Sequence, residues 1–387
     1  MKKILYNFLG LHSILTGLFI FFIPVFLYKN GFSLSEISYF ISLTGLSFVI
    51  SMLVWDRIRY KGGIRILIVI SFFLEIGILC VGTLDKNFLF LFLFSIIYGV
   101  YNCFFWLTKR VLFVSSTEKH EVGDKFGNIQ IIAFVLVKIG ILLGSYLLGN
   151  NHYDYVLVVS ILLSAYGVYY FVSHKKLVKN LEEFSQASPV SLKKVFLFKD
   201  RLRSKYIFML DGPFLFFESF FWLLSLFLIT GQSYHKLGIL VVVLAIVFSV
   251  IFIGIKKKID KVQGQQLLYV AVILYAFSWI FRGYVGNLED NYVIYLLVLV
   301  IAFCTSFFRL VFNKQFFHTA KSVDTHSYMM MKSYYSQFFI FFIFGVLALI
   351  FYNTKWSIEI SLMYVYYILA PISLLFILYK PLGSSQT

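Results

Sequence analysis

Apolar runs of about 20 residues, the length needed to cross a hydrocarbon layer of roughly 30 Å as a helix, recur from one end of the chain to the other between short polar breaks. The pattern predicts spans at 5–28, 37–55, 66–83, 88–108, 128–148 and 155–173 and, after a polar stretch, at 206–229, 237–255, 266–284, 292–311, 334–352 and 358–379, numbered 1 to 12 in chain order. Backbone in lipid must hydrogen-bond to itself, which leaves helices or closed barrels, and continuous apolar runs without ten-residue alternation select helices. The expected fold is all-α: a polytopic membrane protein with 12 transmembrane helices in two six-helix bundles. Lys2 and Lys3 precede the first run as in a secretion signal, but the run is too long and lacks a small-residue cleavage site, so it is read as span 1.

Composition removes the soluble alternative. Hydrophobic residues make up 60% of the chain and charged residues 13%, a balance that no single water-facing core accommodates. The formal charge of +16 would point to nucleic acid or acidic partners in a soluble protein, but here the basic residues gather in alternate loops, so no nucleic-acid partner is expected. Of 34 Lys and Arg, 28 fall on one side of the predicted spans, five on the other (Lys29, Lys86, Lys236, Arg282 and Lys355), and Lys138 lies within span 5. Cytoplasmic loops hold such an excess, which predicts both termini in the cytoplasm of a cell with the chain in its inner or plasma membrane. Cys80, Cys103 and Cys304 all fall in apolar segments without metal-ligand spacing, so no metal and no cofactor are expected.

The stretch 175–205 is the long charged break and divides the chain into bundles at 1–174 and 206–387. Within it Leu177–Phe184 and Val190–Phe198 have the pattern of short amphipathic helices lying on anionic lipid. The halves repeat one another at one place. Asp56-Arg57-Ile58-Arg59-Tyr60-Lys61-Gly62-Gly63 follows span 2, and Asp260-Lys261-Val262-Gln263-Gly264-Gln265 follows span 8. In both, an acid and a base lead into a glycine turn.

On these residues the chain resembles the major facilitator superfamily (MFS), and the resemblance covers essentially the whole length. The family's turn between helices 2 and 3 reads Gly-x-x-x-Asp-Arg-x-Gly-Arg-Arg; here Asp56 and Arg57 match, Met52 stands for the first glycine, and the later glycine is delayed to Gly62 and Gly63. Gly140, Gly144 and Gly149 in span 5 look like the glycine-rich helix of family exporters, with Ser145 in place of its proline, although small residues spaced by four also serve plain helix packing. The resemblance implies gating roles for Asp56, Arg57, Asp260 and Lys261. It also implies a cavity lined by helices 1, 4, 7 and 10, which would receive His12, Asn102, Trp106, Lys138, Asp211, Glu218 and Arg309.

Ionisable groups inside spans are costly in lipid and mark pathways, relays or buried pairs. Lys138 lies too deep to snorkel and needs an anionic partner or substrate. Asp211 and Glu218, seven residues apart on span 7, share a helical face, with Gly212 and Pro213 between them. Glu218 is the expected proton carrier; a fixed Lys138–Glu218 salt bridge is the alternative. His12 titrates near neutrality when unperturbed, and Glu75 of span 3 is expected to partner a neighbouring polar group. No nucleotide-binding loop is present, so the expected function is a secondary active transporter. It would move a small polar or amphipathic solute by alternating access, coupled to protons, as a monomer among membrane lipids. A membrane-embedded enzyme acting on lipids and a non-transporting sensor or scaffold remain the rivals.

Overall fold

The computed structural model describes residues 2–116, 122–174, 187–200, 202–259, 264–354 and 356–379. Among them there is no strand. Ten helices are long and apolar enough to cross a membrane, and span 5 (Val122–Gly149) and span 8 (Tyr234–Ile259) add the shorter apolar stretches Ala133–Gly149 and Tyr234–Phe248. The helices therefore fall where the twelve predicted spans do.

Local chemistry explains where they begin and break. Span 2, Leu34–Tyr60, starts at a capping box in which the Ser33 hydroxyl accepts from the Glu36 amide and the Glu36 carboxylate accepts from the Ser33 amide, satisfying two donors a helix start leaves open. Asp290 and Ser357 cap spans 10 and 12 with their side chains alone, accepting from the Tyr292 and Ile360 amides. Span 1 runs as three pieces, Lys2–Leu18, a 3-10 turn at Ile20–Phe22, and Ile23–Lys29 with Pro24 in its first turn, where the missing N–H costs least. Span 7 is also broken: Ser204–Phe216 contains Pro213, a π-helical turn occupies Phe217–Phe221, and Trp222–Ile229 completes the crossing.

Spans 10 and 11 differ from expectation in length. They extend over Asn291–Ser322 and Thr325–Thr354, roughly 45 Å or more at about 1.5 Å per residue. The polar residues 312–333, read as a loop, thus continue both helices. The short helix Leu192–Phe196 lies in the second predicted amphipathic segment; the first, Leu177–Phe184, is outside the described residues.

The chain forms two compact units. One comprises Met1–Ser191, Ser233–Ile239 and Ile340–Ala348; the other comprises Leu192–Gln232, Leu240–Phe339 and Leu349–Thr387. In the first, span 1 lies backbone to backbone against span 5. A methyl group at Gly17 would collide with the Val137 carbonyl, one at Gly140 with the Ile14 carbonyl, and one at Gly144 with the Leu18 carbonyl. Glycine at these positions is what lets two helices approach so closely in lipid. The core of the second unit is aromatic, with Phe214, Tyr275, Trp279, Phe308 and Phe376 in mutual contact.

Candidate functional site

The second unit gathers four charged side chains from three helices. Pro213 has no N–H to give the preceding turn of span 7, and Gly212 has no side chain where the Ser336 backbone of span 11 presses against it. The Ser336 hydroxyl donates to the Phe208 carbonyl at 2.8 Å, so the loosened turn is tied to span 11. That contact sets Lys332, one helical turn before Ser336, beside Asp211, one residue before Gly212: Lys332 Nζ is 3.0 Å from Asp211 Oδ2.

Arg309 of span 10 completes the cluster. Its Nη1 is 2.5 Å from Asp211 Oδ1, while Nε reaches Glu218 Oε2 and Nη2 reaches Glu218 Oε1, both at 2.9 Å. This paired geometry is the strongest a guanidinium makes with a carboxylate. The Tyr275 hydroxyl of span 9 donates to Glu218 Oε1, and its ring stacks on Phe308 at 4.1 Å. Two acids and two bases balance, as buried charges must. They are not equally enclosed, since the Asp211 side chain is 1% exposed and those of Glu218 and Arg309 are 14% and 15% exposed.

Arg282 forms a second buried cation in this unit. It lies 4.2 Å from the Trp279 ring and 5.1 Å from the Trp222 ring, and donates to Ser278 Oγ at 2.8 Å and Thr305 Oγ1 at 2.6 Å. It borders a cavity of about 120 Å³ with Ser225, Asn287, Glu359 and Tyr366. Arg282 and Lys332, which the sequence places in the breaks between spans, are both buried inside the unit.

In the first unit the polar interior is smaller. His12 of span 1 meets two residues one turn apart on span 3: Nε2 is 3.0 Å from Ser71 Oγ, and Nδ1 is 3.0 Å from Glu75 Oε2. All three side chains are buried. Phe72 stacks on the imidazole at 4.1 Å, with Phe8 and Phe105 at 4.6 and 4.7 Å.

The remaining sequence candidates are dispersed. Lys138 makes no ion pair among the described residues and rests 5.2 Å from the Phe134 ring; Glu218 has Arg309 and Tyr275 as partners instead. Asn102 is buried. Trp106 is 40% exposed, with Lys109 Nζ 4.5 Å above its ring. In the turn after span 2, Asp56 pairs with Arg59, Nε to Oδ1 at 2.8 Å, and Arg57 is exposed. Asp56 Oδ2 also accepts from the Val190 amide at 2.9 Å, and Arg59 Nη2 donates to the Ala187 carbonyl at 2.7 Å, so this pair holds residues 187–190 of the charged stretch. Asp260 and Lys261 lie outside the described residues. Lys332 and Tyr275 were not singled out from the sequence. The Met329–Met331 run just before Lys332 was the signal that span 11 starts earlier.

Spans 1 and 7 are thus broken, and the second unit encloses balanced ion pairs within apolar helices long enough to cross a membrane. The family model of the Major Facilitator Superfamily matches residues 8–330, and the chain belongs to that family of secondary transporters. Among curated proteins, no sequence matches. Solved structures share the fold. A point mutant of the nucleoside transporter NupG superposes with TM-score 0.71 at 15% identity, covering 97% of this chain and 98% of that one. Tetrameric PepTSo2 gives 0.65 at 11% identity, covering 96% and 95%. A structure described for substrate recognition in proton dependent oligopeptide transporters gives 0.65 at 10%, covering 97% and 96%.

Proposed function

We propose that this protein is a proton-coupled secondary transporter that carries a small polar or amphipathic solute by alternating access. The observation that carries the proposal is the Arg309–Glu218 pair, the partly exposed edge of an otherwise enclosed and neutral cluster. Protonating Glu218 removes one of the two carboxylates that hold Arg309. The guanidinium keeps Asp211 and gains free donors for a carboxylate or another acceptor on the solute. Loss of that proton restores the Glu218 pair and displaces the solute, so proton and solute binding are linked through one guanidinium. The presence of both charge signs suits a zwitterionic or amphipathic molecule.

The wider proposal places the chain in the inner or plasma membrane with both termini in the cytoplasm, working as a monomer in contact with lipid. The charge bias of its loops supports this orientation. The polar stretch 175–205 divides two six-helix bundles, and the Asp56–Arg59 pair regulates opening by holding residues 187–190. Nucleosides and oligopeptides, named for the structural neighbours, are the first solutes to try.

The test is uptake into proteoliposomes of radiolabelled uridine and of a dipeptide, with and without a pH gradient. Wild-type protein is expected to accumulate its solute only with the gradient, and Glu218→Gln to abolish that accumulation while solute exchange without a gradient persists. Normal gradient-driven uptake by Glu218→Gln would remove the coupling role of this residue.

A further inference from the structure

Hydrogen-bond bookkeeping around His12 leads to a second site. The Ser71 hydroxyl has one proton, and it is committed to the Ile68 carbonyl at 2.6 Å. Toward His12, 3.0 Å away, Ser71 Oγ is therefore the acceptor, and His12 Nε2 carries the hydrogen. In a neutral imidazole the other nitrogen, Nδ1, then presents a lone pair. That lone pair faces Glu75 Oε2 at 3.0 Å. An ionised carboxylate presents only lone pairs as well, so the contact is repulsive unless a proton lies in the gap.

We propose that the space between His12 Nδ1 and Glu75 Oε2 is a proton-binding site of the first unit, holding one exchangeable proton that bridges span 1 to span 3. Whether the proton is drawn nearer nitrogen or oxygen, the pair is then neutral overall, as its enclosure requires. His12 is 0% and Glu75 2% exposed, and no other charged group reaches either at ion-pair distance among the described residues. Removing the proton leaves an uncompensated buried carboxylate against a nitrogen lone pair. The two side chains must then part or admit water, so proton loss is tied to movement of span 1 against span 3.

The surroundings contribute few competing charges. Span 4 places the Tyr101 phenol near Glu75 and the Lys109 charge within reach of His12. Span 6 brings Ser160, which borders the same gap as Glu75, a gap narrower than a water molecule. Span 5 meets span 1 through Gly140 and Gly144, and in span 2 Asp56 and Arg59 are engaged with each other.

The site is separate from the Arg309 cluster and does not rest on that cluster's role. The test is pH-difference infrared spectroscopy of the protein in liposomes, together with nitrogen NMR of histidine-labelled protein, over about pH 5 to about pH 9. Wild type is expected to show a protonated buried carboxyl or imidazolium whose loss titrates as one proton, and one histidine fixed with hydrogen on Nε2. Glu75→Gln offers an amide N–H to Nδ1 in place of the proton. It should keep that tautomer and lose the Glu75-dependent part of the titration, while Glu218→Gln, which removes only that residue's own carboxyl band, should leave the His12 tautomer and the Glu75-dependent titration in place. Persistence of the titration in Glu75→Gln, or its absence from wild type, overturns the proposal. If Glu75→Gln fails to fold, the wild-type spectrum decides: a His12 ring with hydrogen on Nδ1 and a bare Nε2 overturns it, and the Nε2–H form bonded to a titrating proton at Nδ1 supports it.

Discussion

The two units enclose polar groups by different means. In the second, two carboxylates are balanced by a guanidinium and an ammonium, so neutrality is built from paired acids and bases. In the first, a carboxylate faces an imidazole, and a mobile proton supplies the balance. Packing differs in parallel. The first unit draws its helices together through bare glycine backbone, and the second joins spans 7, 10 and 11 through ion pairs. On the readings proposed above, the ion-pair cluster responds to a solute that competes for Arg309 and to a proton on Glu218, and the His12–Glu75 pair responds to a proton alone.

The largest effect that tests this contrast is expected at Arg309. Arg309→Gln leaves Glu218 without a cation and Asp211 with Lys332 alone, and removing one partner of a buried charge network costs about 3–5 kcal/mol. Thermal unfolding in detergent should show a large loss of stability, and Arg309→Lys should recover only part of it, because an ammonium cannot make the two-pronged contact. Equal stability of the glutamine variant and wild type would mean that the cluster is not what holds these helices.

Next in size is Gly144→Leu. It inserts a side chain where the Leu18 backbone lies and should cost about 1–3 kcal/mol by overpacking, with separation of span 1 from span 5 detectable by cysteine crosslinking. A smaller change is expected from Glu75→Gln, since a neutral donor replaces a neutral proton-bridged acid. The loss should not exceed about 0.5–1.5 kcal/mol, the net worth of one hydrogen bond, and stability should become insensitive to pH where wild type is not. A loss as large as that at Arg309 would mean that Glu75 is held as an anion.

The smallest effect concerns Asp324, in the break between spans 10 and 11. Burial raises its pKa, but the Ser327 hydroxyl and amide and the Lys194 charge outweigh burial and hold it below the usual aspartate value. A lowered folded pKa contributes stability that is complete above the ordinary aspartate range and disappears as pH falls through the lowered value. The Lys194 contact is 3.7 Å long with both side chains more than half exposed, so Asp324→Asn should change stability at neutral pH by roughly 0.2–1 kcal/mol. Salt titration should erase most of the difference.

Much of the fold was legible in the chain because a membrane imposes a one-dimensional rule. Each crossing must be a long apolar helix satisfying its own backbone, so spans can be read without knowing their neighbours. Individual site residues were legible to the extent that a charge inside an apolar run is conspicuous, as at Asp211, Glu218, Lys138 and Glu75. Partnerships were not. Lys138 and Glu218 were considered as a pair, yet Glu218 binds Arg309 and Tyr275. Arg57 follows the family motif, yet Arg59, one helical turn from Asp56, is the residue that pairs with it. Lys332 looked like a loop charge because polar residues within a helix that outruns the bilayer resemble a break.

By itself, then, the sequence determined the helical class, the places of the spans and some of the enclosed charges, Asp211, Glu218 and Glu75 among them, since these follow from residue-by-residue transfer between water and lipid. Tertiary structure alone decided which charges meet, which hydroxyl protons are already committed, and hence where a proton must sit between His12 and Glu75. Those outcomes depend on distances of about 3 Å between helices far apart in the chain, and hydrogen bonds are too short-ranged for any pattern along the chain to specify them.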